Sequence, residues 1–330
     1  MRSVRHPFHA GTALAAVLIV SACSTTVPEG SDGSSQSSDA TRVVTTAQGE
    51  VTIPADPQRI IVLNSTLAGY LFALDEPVHG VLSELPGESG EFPAAWAADA
   101  EADGTVVVQW GEDGFDFEAL LAEAPDLIIA GGQGYPSFLA EESFERLAEV
   151  APTVLVDNQL TTWQDQLSFI AADVLDAADR EAGLVAAYDA RVAEVAAAID
   201  LPELPVAYLV LSEGIPFVLP EDSALPQTLA ELGFEPAPVV QDNPELEAYG
   251  TGDSLEMSTE QVSQVFTAPT LFVFGFIDEE IDLDAVGADP VYAGLPAFAA
   301  GSVYSLPSWV YRADYLNTLA LLDVVEEQFS

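Results

Sequence analysis

Residues 162–199 read TWQDQLSFIAADVLDAADREAGLVAAYDARVAEVAAAI, an alanine-rich run set between two regions of different texture. Alanine and straight-chain residues form helix most readily, so the run is predicted helical, with a break near residues 176–179. Asp179 is the expected N-cap of the second segment, which ends at Pro202 and Pro205. At 1.5 Å per residue its roughly 20 residues extend about 30 Å, the diameter of a small domain. A helix of that length can join two bodies.

The flanking regions supply those bodies. Residues 42–46 and 50–53 are short β-branched runs on either side of Ala47-Gln48-Gly49, which predicts a hairpin ended by Pro54 and Pro57. Arg59-Ile60-Ile61-Val62-Leu63 then reads as a continuous apolar strand, the kind covered on both faces in a parallel sheet. Residues 78–82, 106–108, 127–130 and 153–156 continue as strands, and 66–74, 117–123 and 138–149 as helices. Beyond the alanine-rich run, 206–211, 217–219, 239–240, 270–274 and 302–306 predict strands, and 224–232, 259–266 and 313–328 helices. Strands separated by helices imply βαβ units and mostly parallel sheets. The expected divisions are an N-terminal lobe at 42–161, a helical region at 162–200 and a C-terminal lobe at 201–330.

Ahead of the lobes, Arg2 and Arg5 precede an apolar run at 10–20 and the small-residue end Val20-Ser21-Ala22. The apolar run is shorter than the roughly 20 residues a membrane-spanning helix needs and has the dimensions of a signal-peptide core. Residues 1–22 are therefore read as a signal peptide, and the chain as exported. Cys23 is the single cysteine, so an intramolecular disulfide is excluded. Val20-Ser21-Ala22-Cys23 resembles the lipobox of bacterial lipoproteins, in which cleavage before the cysteine is coupled to lipid attachment at its sulfur. Residues 23–41, rich in Ser, Gly, Thr and Asp, are expected to form a flexible tether that holds the folded body above a cell membrane on its extracytoplasmic side.

Charge narrows the chemistry. The chain of 330 residues has 54 acidic side chains and 8 basic ones, a net charge of −46, and every basic residue is arginine. Without lysine there is no phosphate-binding loop ending in Gly-Lys-Ser/Thr and no Schiff-base chemistry. Nucleic acid is excluded as a partner, because binding it depends on cations that displace counterions from phosphate. A composition that is 49% hydrophobic with 16 Phe argues for a filled core rather than disorder.

The signposts along 43–330 are Val51-Thr52-Ile53-Pro54 leading into 57–63, Phe117-Glu118-Ala119-Leu120-Leu121 before Ala124-Pro125-Asp126-Leu127, and Ala151-Pro152-Thr153-Val154. Ser258-Thr259-Glu260-Gln261-Val262 and Gly301-Ser302-Val303-Tyr304 running into Trp309 complete the series. In order and spacing they resemble the substrate-binding proteins of iron-siderophore and cobalamin ABC importers. The resemblance implies two Rossmann-like α/β lobes with mostly parallel sheets, joined by a single long rigid interdomain helix, with ligand held in the cleft between them.

Ligands of open α/β sheets bind beyond the carboxyl ends of the strands. That rule selects Asn64, Ser65 and Thr66, Trp110, and Gly131, Gly132, Gln133, Gly134 and Tyr135 in the first lobe. In the second it selects 249–254, with Tyr249 and Ser254, and the Ser308-Trp309-Val310-Tyr311-Arg312 segment, which offers aromatic faces and one fixed cation. The bland alternatives are Trp110 as a core aromatic, Arg312 paired with Asp314, and the glycines as close-packing residues. The resemblance further implies transporter docking through one exposed glutamate on each lobe, Glu260 in the second and Glu141 or Glu142 in the first.

With His79 the sole histidine after signal removal, a nitrogen-rich free-metal site cannot be assembled. No cofactor and no catalysis are expected. A Ser-His-Asp hydrolase would have to use His79, and the chain lacks a Gly-x-Ser-x-Gly elbow; the acids are numerous enough for a paired-carboxylate glycosidase, but no motif selects two of them. A scaffold lipoprotein is the other rival. The expected ligand is an Fe(III)-siderophore complex, neutral or cationic and hydroxamate-like because few arginines fall near the cleft loops, with heme or cobalamin as the alternatives. The expected partners are the permease and ATPase subunits of an ABC importer, with the protein itself a monomer.

Overall fold

The computed structural model describes residues 40–87, 90–111, 113–250, 252–276 and 280–330. The signal peptide, Cys23 and all of the tether but its last two residues lie outside them. Among the described residues no helix is long and apolar enough to cross a membrane.

An antiparallel hairpin, β1 (Thr41–Thr46) and β2 (Gly49–Pro54), leads into the first sheet. That sheet contains β3 (Ile60–Val62), β4 (Val78–Leu82) and β5 (Val106–Val108), followed after a small hairpin, β6 (Trp110–Gly111) and β7 (Gly114–Phe115), by β8 (Leu127–Gly131) and β9 (Thr153–Val156). Its order is β5-β4-β3-β8-β9 and every pair is parallel. Side chains alternate across it: Ile60 and Val62 enter one apolar layer and Ile61 the other. With both layers covered, these strands read as unbroken apolar runs.

The second sheet has β10 (Val206–Ser212), β11 (Ile215–Val218), β12 (Glu247–Tyr249), β13 (Ser254–Glu256), β14 (Thr270–Gly275) and β15 (Val303–Ser305). Its order is β12-β13-β11-β10-β14-β15. β10, β14 and β15 are parallel, while β11, β13 and β12 extend the sheet by antiparallel pairs, so this lobe is mixed rather than mostly parallel.

Between the sheets the alanine-rich run forms a helix at Trp163–Ser168, a π-helical stretch at Phe169–Val174 and a 21-residue helix at Ala178–Ala198. The break falls at Asp176, whose φ of 52° takes the chain out of the right-handed helical region. The long helix starts at Ala178 without a side-chain cap, so Asp179, expected as its N-cap, lies in the first turn, where a carboxylate favours the helix dipole. Leu184, Tyr188, Val192, Val195 and Ile199 form its apolar stripe. The stripe joins a core that continues from Val62 and Ile129 of the first sheet to Val210 and Phe272 of the second. The C-terminal helix Tyr315–Phe329 packs along the long helix and also on the first-lobe helix Ala68–Ala73. The two lobes therefore share apolar packing around their connector.

Three local expectations differ from the structure. Residues 239–240 form the start of a helix, Val239–Asp242. Both edges of β10 are already taken by β11 and β14, and the Glu221 carboxylate accepts from Val240 N at 2.9 Å and Gln241 N at 3.4 Å. The helix expected at 138–149 is two, Tyr135–Glu142 and Phe144–Val150, divided at Ser143. The helix expected at 259–266 shortens to Val262–Val265, and ahead of it the Gln261 side-chain Oε1 accepts from Ser258 N at 2.9 Å.

Candidate functional site

The cleft lies where the loops after β3, β4 and β8 face the loop after β15 and the β12–β13 hairpin. It consists of adjoining cavities of about 210, 70, 290 and 540 Å³ that share lining residues.

Its floor in the first lobe is built by Asn64, which is buried. The side-chain amide donates to Gly131 O at 2.7 Å and Gln133 O at 2.9 Å, and its oxygen accepts from Thr66 N at 3.2 Å and Thr66 Oγ1 at 2.8 Å. One side chain thus holds the glycine-rich loop against the 3-10 turn Ser65–Leu67. Gly131 packs so closely on β9 that a Cβ there would come within 2.3 Å of Val156 O. The loop is a packing device, as its lack of phosphate-loop spacing implies. Gln133 donates to Asn158 O at 2.5 Å, which fixes its amide at the cavity wall.

Aromatic residues form the outer wall. Trp110 is buried and donates from Nε1 to Ser83 O at 2.8 Å, while its ring lies 5.9 Å from that of Tyr135. Tyr135 in turn stacks on Phe138 at 6.4 Å. Tyr249, half exposed on β12, and Phe276 face them across the 540 Å³ cavity.

The second lobe contributes the 3-10 turn Ser308–Arg312. Trp309 lines two of the cavities and Arg312 three. Arg312 Nε donates to Asp253 Oδ2 at 2.6 Å, with the guanidinium carbon 4.5 Å from the Tyr311 ring centre and 5.4 Å from that of Phe276. Burial works against the Arg312 charge, but Tyr311 and Asp253 together outweigh it and hold its pKa above the ordinary value. Burial likewise pushes the Tyr311 phenol up. The pairing of Arg312 with Asp314 does not occur. Asp314 is fully buried as N-cap of the C-terminal helix, where Oδ1 accepts from Asn317 N at 2.8 Å and Oδ2 from the first-lobe Trp96 Nε1 at 3.1 Å. Burial, opposed by these bonds, pushes its carboxyl up to about 6. A Cβ on Gly69 would fall 2.1 Å from Asp314 Oδ2, so the first-lobe helix can approach only because that position has none.

The structure thus brings Thr66, Trp110, Gln133, Tyr135, Tyr249, Trp309, Tyr311 and Arg312 to one cleft. Ser254 is not among them: it is buried on β13 and lines none of these cavities, because the strand's alternation turns it inward. Glu260 is exposed in the turn before Val262–Val265, and Glu141 and Glu142 are exposed at the end of Tyr135–Glu142. Glu84, Glu91, Asp222, Asp253, Tyr70 and Trp163 also line the cleft. Asp253 lies within the 249–254 segment that the strand-end rule selects; the others carry no distinguishing mark in so acidic a chain.

The charge balance is one-sided. Among the described residues Arg312 is the one cationic side chain on the cleft walls, against Glu84, Glu91, Asp222 and Asp253. Of the other body arginines, Arg59 is engaged with Glu123, Arg146 over Phe117, Arg180 with Glu76, and Arg191 with Asp323 and Glu326, while Arg42 lies on β1 and lines none of these cavities.

Residues 60–309 match the model of a family described as periplasmic binding protein. The chain is 30% identical over 305 residues to the ferric enterobactin-binding periplasmic protein FepB of Escherichia coli O6:H1, spanning 89% of this chain and 92% of that one. It is 31% identical over 184 residues to the probable siderophore-binding lipoprotein YfiY of Bacillus subtilis, spanning 55% of this chain and 52% of that one. Among solved structures, holo-ViuP superposes with a TM-score of 0.73 at 25% identity, covering 88% of this chain and 95% of the other.

Proposed function

Since the chain belongs to the periplasmic binding protein family, we propose that it is the solute-binding component of an ABC importer and that its cargo is a ferric siderophore, neutral or cationic and hydroxamate-like. The cargo class is carried over from relatives named for ferric enterobactin and siderophore binding. The charge of the cargo rests on one observation: among the described residues the cleft carries four carboxylates and one arginine, a balance that repels a trianionic chelate and accepts a neutral or cationic one. In this reading Arg312 donates to the chelate oxygens, and Trp309, Tyr135, Trp110 and Tyr249 cover its apolar faces.

The protein needs no chemical step. Captured chelate is carried to the permease, with Glu260 on one lobe and Glu141 or Glu142 on the other as docking carboxylates. Cleavage before Cys23 and lipid attachment to its sulfur would keep the body at the outer face of the cell membrane. Fluorescence titration tests the cargo, since Trp110 and Trp309 lie on the cleft walls and a ferric chelate seated there quenches them. Quenching and a raised melting temperature are expected with a neutral ferric trishydroxamate. Tight binding confined to ferric triscatecholates would refute the charge reading, and no response to any ferric chelate would refute the cargo.

A further inference from the structure

We infer that Asp253 is the residue that sets the ligand charge this cleft accepts, by neutralising Arg312 while leaving its outward donors available. The inference rests on the ferric-chelate reading and adds to it the residue responsible. Arg312 is the cleft's one cation among the described residues, and its Nε bonds Asp253 Oδ2 at 2.6 Å. The pair is shielded, the two side chains retaining 16% and 18% of their exposure, so solvent screens it less than a surface pair. Asp253 Oδ1 is buried, and among the described residues Arg312 is the cation paired with this carboxylate.

The geometry divides the guanidinium into two edges. The Nε edge is held by Asp253, and Nη1 is held against Gly134, where a Cβ would fall at 2.6 Å. The guanidinium lines three of the cavities as a hydrogen-bond donor whose charge is paired within the protein. A neutral hydroxamate oxygen can accept from it at no electrostatic cost. A trianionic chelate gains no net attraction from the paired cation, and Asp222 on the adjoining wall repels it. Asp253 differs from Asp222 in being fixed by its bond to the very group the ligand would use.

The test compares the full chain with Asp253→Asn and Asp222→Asn, titrating each with a neutral ferric trishydroxamate and a trianionic ferric triscatecholate at two ionic strengths. Asn keeps an acceptor for Arg312 Nε while removing the charge, and unchanged circular dichroism and melting temperature establish that each variant is folded. Asp253→Asn is expected to raise affinity for the trianion at least about tenfold relative to the neutral chelate, at both ionic strengths. Asp222→Asn is expected to move that ratio by less. An unchanged ratio in Asp253→Asn would overturn the assignment, as would equal shifts in the two variants. A wild-type chain that bound neither chelate would instead remove the cargo reading, and this inference with it.

Discussion

Gly134 offers a direct way to move Arg312 without altering any charged group. Its φ of +82° lies in a region that residues with a Cβ avoid, and an ideal Cβ there sits 2.6 Å from Arg312 Nη1 and 3.1 Å from Cζ. Gly134→Ala therefore has two separable consequences. The backbone strain costs about 1–3 kcal/mol of stability. In addition, Nη1 must retreat by roughly 0.8 Å to reach ordinary van der Waals contact, which pulls the guanidinium off its present hold on Asp253. Losing a hydrogen bond from a charged group to ligand costs about 1.5–3 kcal/mol, or roughly ten- to hundredfold in affinity. Gly214 is the control: its φ is +81°, but nothing lies within 4 Å of its ideal Cβ, so Gly214→Ala incurs the strain alone. Thermal unfolding should show a fall in melting temperature in both variants, and chelate titration a fall in affinity in Gly134→Ala only. Equal affinities in the two variants would refute the placement of Arg312 as a ligand contact.

Asp314 predicts a pH dependence. Its carboxyl is pushed up to about 6 in the folded chain, above the ordinary 3.8, so between those values the folded state binds more protons than the unfolded one. Stability from this group is therefore full below about pH 4 and is lost as pH rises through about 6, a drop of about 3 kcal/mol. Urea unfolding from pH 4 to 7 should show wild type losing that much more than Asp314→Asn; parallel curves would exclude it. Trp163, buried with its ring 4.6 Å from Tyr188 and 5.5 Å from Tyr315, should cost about 3–5 kcal/mol on replacement by alanine. Because it sits in the core common to both lobes, calorimetry should show one lowered transition, and two resolved transitions would contradict the shared core. Glu260→Ala should leave chelate affinity unchanged and reduce cellular uptake; normal uptake would remove its docking role.

The parts of the fold that were legible are those where one physical demand acts alone. Ile60-Ile61-Val62 and Leu127-Ile128-Ile129 must satisfy an apolar layer on each face, and their β-branched residues separate them from the apolar runs of buried helices such as Leu319-Ala320-Leu321-Leu322. The alanine-rich run was legible for a similar reason, and Asp176 marks its break. Residues 239–240 misled because β propensity reflects an available partner edge, and the edge of β10 was already filled. The cleft aromatics followed from the strand-end rule, but their polar partners did not. Arg312 has Asp314 two residues away, yet its bond is to Asp253, 59 residues distant. Asp314 cannot serve, because capping Asn317 N turns its carboxylate into the core. Among 54 acids, composition could not say which few turn inward.

Charge then acts on a ligand at two ranges. The net −46 of the chain produces a field felt outside the cleft, but salt confines it to about 8 Å at physiological ionic strength. That field slows the approach of an anion and cannot distinguish two chelates once either has entered. Inside, the Arg312–Asp253 pair is poorly screened and acts at contact distance, so on the proposed assignment its discrimination persists at salt concentrations that abolish the outer field. The shared core strengthens this inner selection. With Asp314 bonded to Trp96 across the lobes and the C-terminal helix packed on both the long helix and Ala68–Ala73, large closure would break buried contacts. A cleft whose large-scale closure is opposed by these contacts carries more of its selectivity in fixed groups, which places the burden on the few side chains that hold Arg312 in position.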